Sequence, residues 1–182
     1  MREEHILYPN DSIVIVNCLE TIPGGRSLNL DKYDKAVIDA GCVVYKEGKK
    51  YIPLSGAKIF EEVKEADKGT IKEIKVYKGS SSLKVGSEIK TGIKVESVDT
   101  SKKEYDILKL DKPIGESLLK DSGLYKAPAA TAVWVGIVIG TVVKERPHVG
   151  IMVRGTVNEA VMPFKLKEED KKKLPLIRFY SE

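Results

Sequence analysis

Apolar and polar residues alternate along much of the chain, and this two-residue period is typical of β-strands. The clearest case is 150–163, where Ile151 and Val153 begin an apolar pattern that resumes after an interruption at Gly155. The segment 133–139 is apolar at every position, so the strand that it predicts should be covered by protein on both faces. These two segments predict the core of a sheet, with a turn or bulge at Gly155.

The first third of the chain predicts a strand followed by two helices. Apolar residues fall on both faces of 12–18, which predicts a strand that is largely buried on both sides. Residues 31–40 and 55–68 carry apolar side chains at helical spacing and are each followed by a glycine, so each predicts a short helix. The other elements predicted here are a turn at 21–27 and strands at 42–45 and 51–54.

The middle of the chain has a different pattern, with short alternating strands and lysine-rich outer positions between residues 70 and 113. Glycine, serine and aspartate supply the turns between these strands. We interpret 69–126 as a small β module inserted into a main domain made of 12–68 and 127–182, with 1–11 as an N-terminal arm. The spacing also resembles SH3-like barrels, some of which bind RNA, but Tyr77 and Tyr105 alone do not predict a base-stacking platform.

The C-terminal part predicts a helical turn at 115–124 and, after the sheet, a short exposed helix within the mixed charges of 165–173. The apolar segment 174–180 predicts a terminal strand, which would close the barrel or lie on a neighbouring subunit. The fold class is therefore all-β with two or three short helices.

Composition and charge narrow the functional classes. The 182 residues contain 31 basic and 27 acidic side chains scattered along the chain, giving a net charge of +4. A nucleic-acid-binding protein usually concentrates lysine and arginine with aromatic residues on one face, and the sequence does not indicate such a face. No secretory signal is evident, and the uncharged segment 127–143 is too short and too rich in β-branched residues to predict a membrane span.

Candidate chemistry is sparse. His5 and His148 have no metal-ligand spacing with Cys18 or Cys42, and no nucleophile elbow, phosphate-binding loop or dinucleotide fingerprint is present. The sequence therefore predicts no catalytic residue, no metal site and no cofactor. Both cysteines lie in apolar strands and are expected to be buried thiols, although the sequence does not decide whether they form a disulfide.

Several polar and aromatic residues near the C-terminal strands are expected to have structural rather than ligand-binding roles. Asn158 and Glu159 interrupt an apolar strand, and a polar pair of this kind usually satisfies backbone groups at a bulge or turn. Arg154 is expected to pair with Glu159 or with an acidic residue of a neighbouring subunit. Trp134 and Phe164 are expected to be core or subunit-contact residues.

The order of the β-rich segments resembles that of the capsid decoration proteins of tailed bacteriophages, also described as head-stabilising or head-fibre base proteins. The pattern apolar-x-apolar-Arg-Gly-x-Val-Asn-Glu-Ala at 150–163, preceded by the strand at 135–143, resembles the C-terminal strands of that family. Its signature residues here are Arg154, Gly155, Val157, Asn158 and Glu159. Further segments fit in the same order, namely 38–44 and 49–54 as first barrel strands, and 78–89, 98–101 and 105–108 as a module of longer members.

This resemblance implies a β-barrel or β-tulip-like decoration domain and a mechanical function. It implies a protein made in the host cytoplasm that binds the outside of the virion capsid and clamps neighbouring major capsid subunits, as a homotrimer and without a cofactor. In such proteins an N-terminal arm adds strand pairing to the capsid lattice, and the corresponding residues here are Ile6, Leu7, Tyr8 and Pro9. The alternative is an SH3-like β-barrel that binds nucleic acid or acts as an adaptor, centred on 70–112.

Overall fold

The computed structural model describes residues 13–181 and folds them into sixteen strands and one short helix. The first eight strands are β1 (Ile15–Thr21), β2 (Arg26–Ser27), β3 (Val37–Ile38), β4 (Val43–Glu47), β5 (Lys50–Pro53), β6 (Gly56–Lys58), β7 (Glu73–Tyr77) and β8 (Glu88–Lys90). The last eight are β9 (Ile93–Asp99), β10 (Tyr105–Leu110), β11 (Gly123–Tyr125), β12 (Val133–Val138), β13 (Val142–Val143), β14 (His148–Val149), β15 (Ile151–Asn158) and β16 (Ile177–Tyr180). The helix α1 (Glu168–Lys171) lies between β15 and β16. The predicted all-β class is confirmed.

Strand β15 is the centre of a six-stranded sheet with the order β1-β15-β12-β4-β5. It pairs antiparallel with β1 and β12 and parallel with β16, so three strands depend on its backbone. The predicted turn at Gly155 is wrong, because β15 continues through this residue to Asn158. The alternative, a bulge, fits the ladder with β1, whose register shifts between the Cys18–Gly155 and Glu20–Arg154 pairs. The terminal strand predicted at 174–180 is present as β16 and pairs with β15 of its own chain.

A second, four-stranded antiparallel sheet has the order β7-β10-β9-β8 and corresponds to the short strands predicted between residues 70 and 113. Strand β6 precedes this sheet in the sequence and β11 follows it. These two strands pair antiparallel with each other, with Gly56 opposite Tyr125. Two further strand pairs, β3 with β13 and β2 with β14, lie outside both larger sheets.

Each of the two larger sheets has its own buried apolar side chains. The six-stranded sheet contributes residues such as Val43, Ile137 and Met152 to one cluster. The four-stranded sheet buries a separate cluster that includes Ile74 and Leu108. This second cluster also contains residues that precede the predicted module boundary at residue 69, namely Ala57, Ile59 and Val63.

The helices predicted at 31–40 and 55–68 are wrong. In the first segment Val37–Ile38 pairs with β13, and in the second Gly56–Lys58 pairs with β11. Ile59 and Val63 are buried as their helical spacing suggests, but they reach the core through isolated bridges to Val76 and Leu118. Strand pairing with distant segments therefore overrides local helix propensity. The helical turn predicted at 115–124 is also absent, whereas α1 lies within the helix predicted at 165–173.

The two cysteines have opposite environments. Cys42 is buried immediately before β4, and its thiol contacts the carbonyl oxygens of Val43 and Leu54. The prediction of a buried thiol is confirmed for this residue. Cys18 is exposed on β1, so the prediction of a second buried thiol is wrong, and both thiols are free. Burial, reinforced by the Asp39 carboxylate, raises the pKa of the Cys42 thiol from its ordinary value near 9.0 to about 12.

We expect the protein to lose stability in alkali partly through Cys42. Between these two pKa values the unfolded thiol ionises while the folded thiol keeps its proton, so the free energy of unfolding falls as pH rises. From pH 9 to pH 11 the wild type should lose about 2 kcal/mol more than Cys42→Ala, measured by urea unfolding at each pH. Cys18→Ala is the control for removing a thiol at an exposed position. Equal alkaline losses in wild type and Cys42→Ala would contradict this assignment.

Candidate interaction surface

Strand β1 forms an exposed edge of the six-stranded sheet. It pairs with β15 on one side, and six of its seven residues are exposed to solvent. The prediction that 12–18 forms a strand buried on both faces is therefore wrong for β1. An exposed edge strand presents unpaired backbone groups and is a natural site for contact with another protein.

Three large apolar side chains project from this edge. Ile13 is 73% exposed, Val16 51% and Leu19 63%. The pairing register explains the exposure of Val16 and Leu19. Ile15 pairs with Val157 and Asn17 pairs with the adjacent Thr156, so Val16 has no partner on β15. A second irregularity leaves Leu19 unpaired in the same way. Two bulges thus turn apolar residues of a strand toward solvent.

We call Ile13, Val16 and Leu19 with the β1 backbone between them the β1 edge. It continues into a groove of about 980 Å³ that Ile13 and Ile15 line together with Val142, Val143 and Pro163. Glu20 is the charged residue of β1 and lies opposite Arg154 in register. Arg154 is exposed and forms no ion pair with another described residue. The side chains that project from the β1 edge are therefore mainly apolar, whereas the groove beside it also contains charged residues.

The signature residues of the C-terminal strand pattern position β1. Val157 is fully buried, and the Asn158 amide donates a 2.8 Å hydrogen bond to the Val14 carbonyl oxygen. The Asn158 side chain accepts a hydrogen bond from the Ala160 amide, while the Glu159 amide donates to the carbonyl oxygen of Tyr180. The side chain of Asn158 therefore satisfies a backbone group just after β15, as predicted, whereas the Glu159 side chain does not.

Glu159 pairs with Lys171 rather than with Arg154. The Lys171 Nζ lies 2.5 Å from Glu159 Oε2, and both side chains are mostly buried. Partial burial works to lower the pKa of Lys171, but the carboxylates of Glu159 and Glu168 raise it overall. The same ammonium lies 5.6 Å from the ring centroid of Phe179 on β16. The ion pair links α1 to the residue that follows β15, and the contact with Phe179 links α1 to β16.

The other residues predicted from sequence lie at several separate places. Phe164 is buried within the chain and stacks on Tyr125 with ring centroids 5.4 Å apart. Trp134 is half-buried, with Lys173 Nζ 5.1 Å from its ring centroid. His148 is held locally by Ser27 and the Gly24 carbonyl oxygen. The arm residues Ile6, Leu7, Tyr8 and Pro9, together with His5, lie outside the described residues.

Within residues 13–181 no group of three or more acidic, histidine or cysteine side chains is arranged to hold a metal ion. The helical part of the same range includes nothing long and apolar enough to cross a bilayer. No protein-family model matches the chain, and no curated protein or solved structure shows significant similarity to it.

The β1 edge is the feature that the sequence did not predict, since the apolar pattern of 12–18 does not reveal where bulges will form.

Gly155 allows β1 to approach β15. A Cβ at this position would overlap the Asn17 carbonyl oxygen of β1 and the Met152 sulfur atom. The carbonyl belongs to the backbone, so β1 itself would have to move to make room.

We expect Gly155→Ala to lower the free energy of unfolding by about 1–3 kcal/mol and to increase amide exchange throughout β1. Gly140→Ala is the matched control, because a Cβ there would meet no atom within 4 Å. Urea unfolding gives the stability of both variants, and hydrogen exchange gives the loss of protection in β1. The same stability and β1 protection in both variants would show that this close approach does not constrain the strand.

Proposed function

We propose that this protein is a structural component of a tailed-phage virion that binds the outer capsid surface and stabilises the head. The main support is the β1 edge, an exposed apolar strand that directly follows the arm segment 1–11. The order of sequence motifs that resembles decoration proteins supplies the class of partner, the major capsid protein. The decoration-type barrel is part of the same proposal.

The β1 edge fits a protein partner that covers apolar side chains and pairs with an open strand. Full burial of one large aliphatic side chain contributes about 1.5–3 kcal/mol, so three such side chains give a modest gross gain for a single copy. Association costs several kcal/mol in lost freedom of motion, and a single contact would therefore be weak. A homotrimer at a local three-fold position would engage three sites together and gain affinity through multivalency.

In this proposal the protein acts mechanically. It links neighbouring capsid subunits, so that outward pressure from packaged DNA has to break the added contacts as well as those of the capsid itself. The arm would extend the contact of the β1 edge along the lattice by adding backbone hydrogen bonds. This function requires no cofactor and no catalytic group.

We expect the double substitution Val16→Lys and Leu19→Lys to abolish binding to expanded heads that lack the protein. The two lysines remove apolar contact area and place charges where the capsid surface would have to desolvate them. The measurement is co-sedimentation with expanded heads of the parent phage, with unexpanded procapsids and free nucleic acid as controls. Val85→Lys and Leu119→Lys are matched variants, because these residues are also exposed, at 64% and 73%, but lie outside β1. Wild-type binding by the β1 variant would exclude the β1 edge as the capsid contact.

We expect deletion of residues 1–11 to leave a folded protein that no longer binds heads stably. The deletion removes the apolar residues of the arm and leaves every residue of both sheets in place. Circular dichroism checks the fold, and sedimentation of the truncated protein with expanded heads measures binding. Normal head binding by the folded truncation would refute the arm as a contact. Binding of the full chain to nucleic acid and not to heads would favour the SH3-like alternative.

A further inference from the structure

Three aromatic rings meet on the outer face of the four-stranded sheet. Tyr77 and Tyr105 are register partners on β7 and β10, so their side chains leave the sheet on the same face. Phe60 lies beside β7, where its amide donates a hydrogen bond to the Lys75 carbonyl oxygen. Its ring centroid is 5.3 Å from that of Tyr105, at 29° between planes, and 5.2 Å from that of Tyr77, at 77°. All three rings are only partly buried.

Each of these rings carries a lysine ammonium group near its face. The Nζ atoms of Lys75, Lys58 and Lys120 lie 5.2, 5.2 and 5.9 Å from the ring centroids of Tyr105, Tyr77 and Phe60. The faces of aromatic rings are electron-rich and attract positive charge. The ammonium groups therefore mark positions where another positively polarised group, such as the C–H face of a ligand, would be attracted.

Three carboxylates balance most of the charge of the four lysines on this surface. The Nζ of Lys75 lies 2.5 Å from Glu61, and that of Lys58 lies 3.8 Å from Asp121. On the same face Lys109 pairs with Glu73 at 3.3 Å. A nucleic acid gains affinity from lysine and arginine side chains that displace its counterions. Three of the four lysines on this surface already have carboxylate partners, and Lys120 forms no ion pair with another described residue. Charge balance thus favours a neutral ligand over a polyanion.

We propose that Phe60, Tyr77 and Tyr105 with their flanking lysines and carboxylates, the aromatic face, form a binding site for neutral carbohydrate. A pyranose ring has one face of C–H groups and a rim of hydroxyl groups. The C–H face would stack on the rings as a lysine side chain moves aside, and the rim would bond to the carboxylates and ammonium groups. This site lies on the four-stranded sheet, apart from the β1 edge, and does not rest on the proposed capsid function.

The test measures binding of the full-length protein to an array of immobilised neutral oligosaccharides, with acidic oligosaccharides and single-stranded oligothymidylate as competing ligand classes. We expect binding to neutral sugars that changes little with salt. Phe60→Ala should weaken it about tenfold or more, as removal of a stacking ring does elsewhere. Tyr51→Ala is the matched control, because Tyr51 is also half-buried and has Arg26 and Lys46 over its ring, but it lies on β5.

Lys75→Ala distinguishes a neutral sugar from a polyanion, because the substitution should change the affinity for these two ligands in different directions. This test remains valid even if the Phe60→Ala variant does not fold. Lys75 is exposed enough for removal, since its side chain keeps 40% of its accessible surface. If a sugar stacks on Tyr105, removing the lysine leaves binding unchanged or makes it tighter. If a polyanion binds, the same substitution weakens binding and lowers its salt dependence. The proposal is overturned by failure to bind any neutral sugar, or by salt-sensitive binding of oligothymidylate that Lys75→Ala weakens.

Discussion

Close backbone packing around β15 determines the positions of the other strands of the six-stranded sheet. At Gly136 on β12 and at Gly155 on β15, a Cβ would overlap a backbone carbonyl oxygen of the adjacent strand. Both positions therefore require glycine for space, whatever the conformational preference of the chain there. Because β1, β12 and β16 all pair with β15, a displacement of this strand would move the first and last described strands and the middle of the sheet together.

The same packing explains how an apolar strand can remain at the surface. Strand β1 is held on one side by its ladder with β15, and its two bulges twist the free side away from a regular ladder geometry. Bulges on an edge strand discourage open-ended addition of identical strands, which is the usual hazard of an exposed β edge. A partner must therefore match the side chains of the β1 edge, and this requirement favours a specific contact over general aggregation.

The sequence predicts those parts of the fold in which local pattern and tertiary environment agree. The apolar segment 133–139 and the alternating segment at 150–163 contain β12 and β15, and α1 lies within the mixed-charge segment 165–173. The helices predicted at 31–40 and 55–68 fail because β13 and β11 offer strand partners that no local pattern reveals. The exposure of Val16 and Leu19 could not be predicted either, since alternation assumes a regular register and bulges break it.

The aromatic face could not be predicted from the sequence either, and Phe60 shows why. In the sequence it lies in a segment with helical spacing, far from Tyr105, and only the extension of β6 along β7 brings the two rings together. The β6–β11 pair joins the four-stranded sheet to the rest of the chain, and the apolar cluster beneath the aromatic face is separate from the cluster that supports β15. Because separate apolar clusters support them, the β1 edge and the aromatic face can be altered by separate substitutions, and the matched control variants assign loss of binding to one surface.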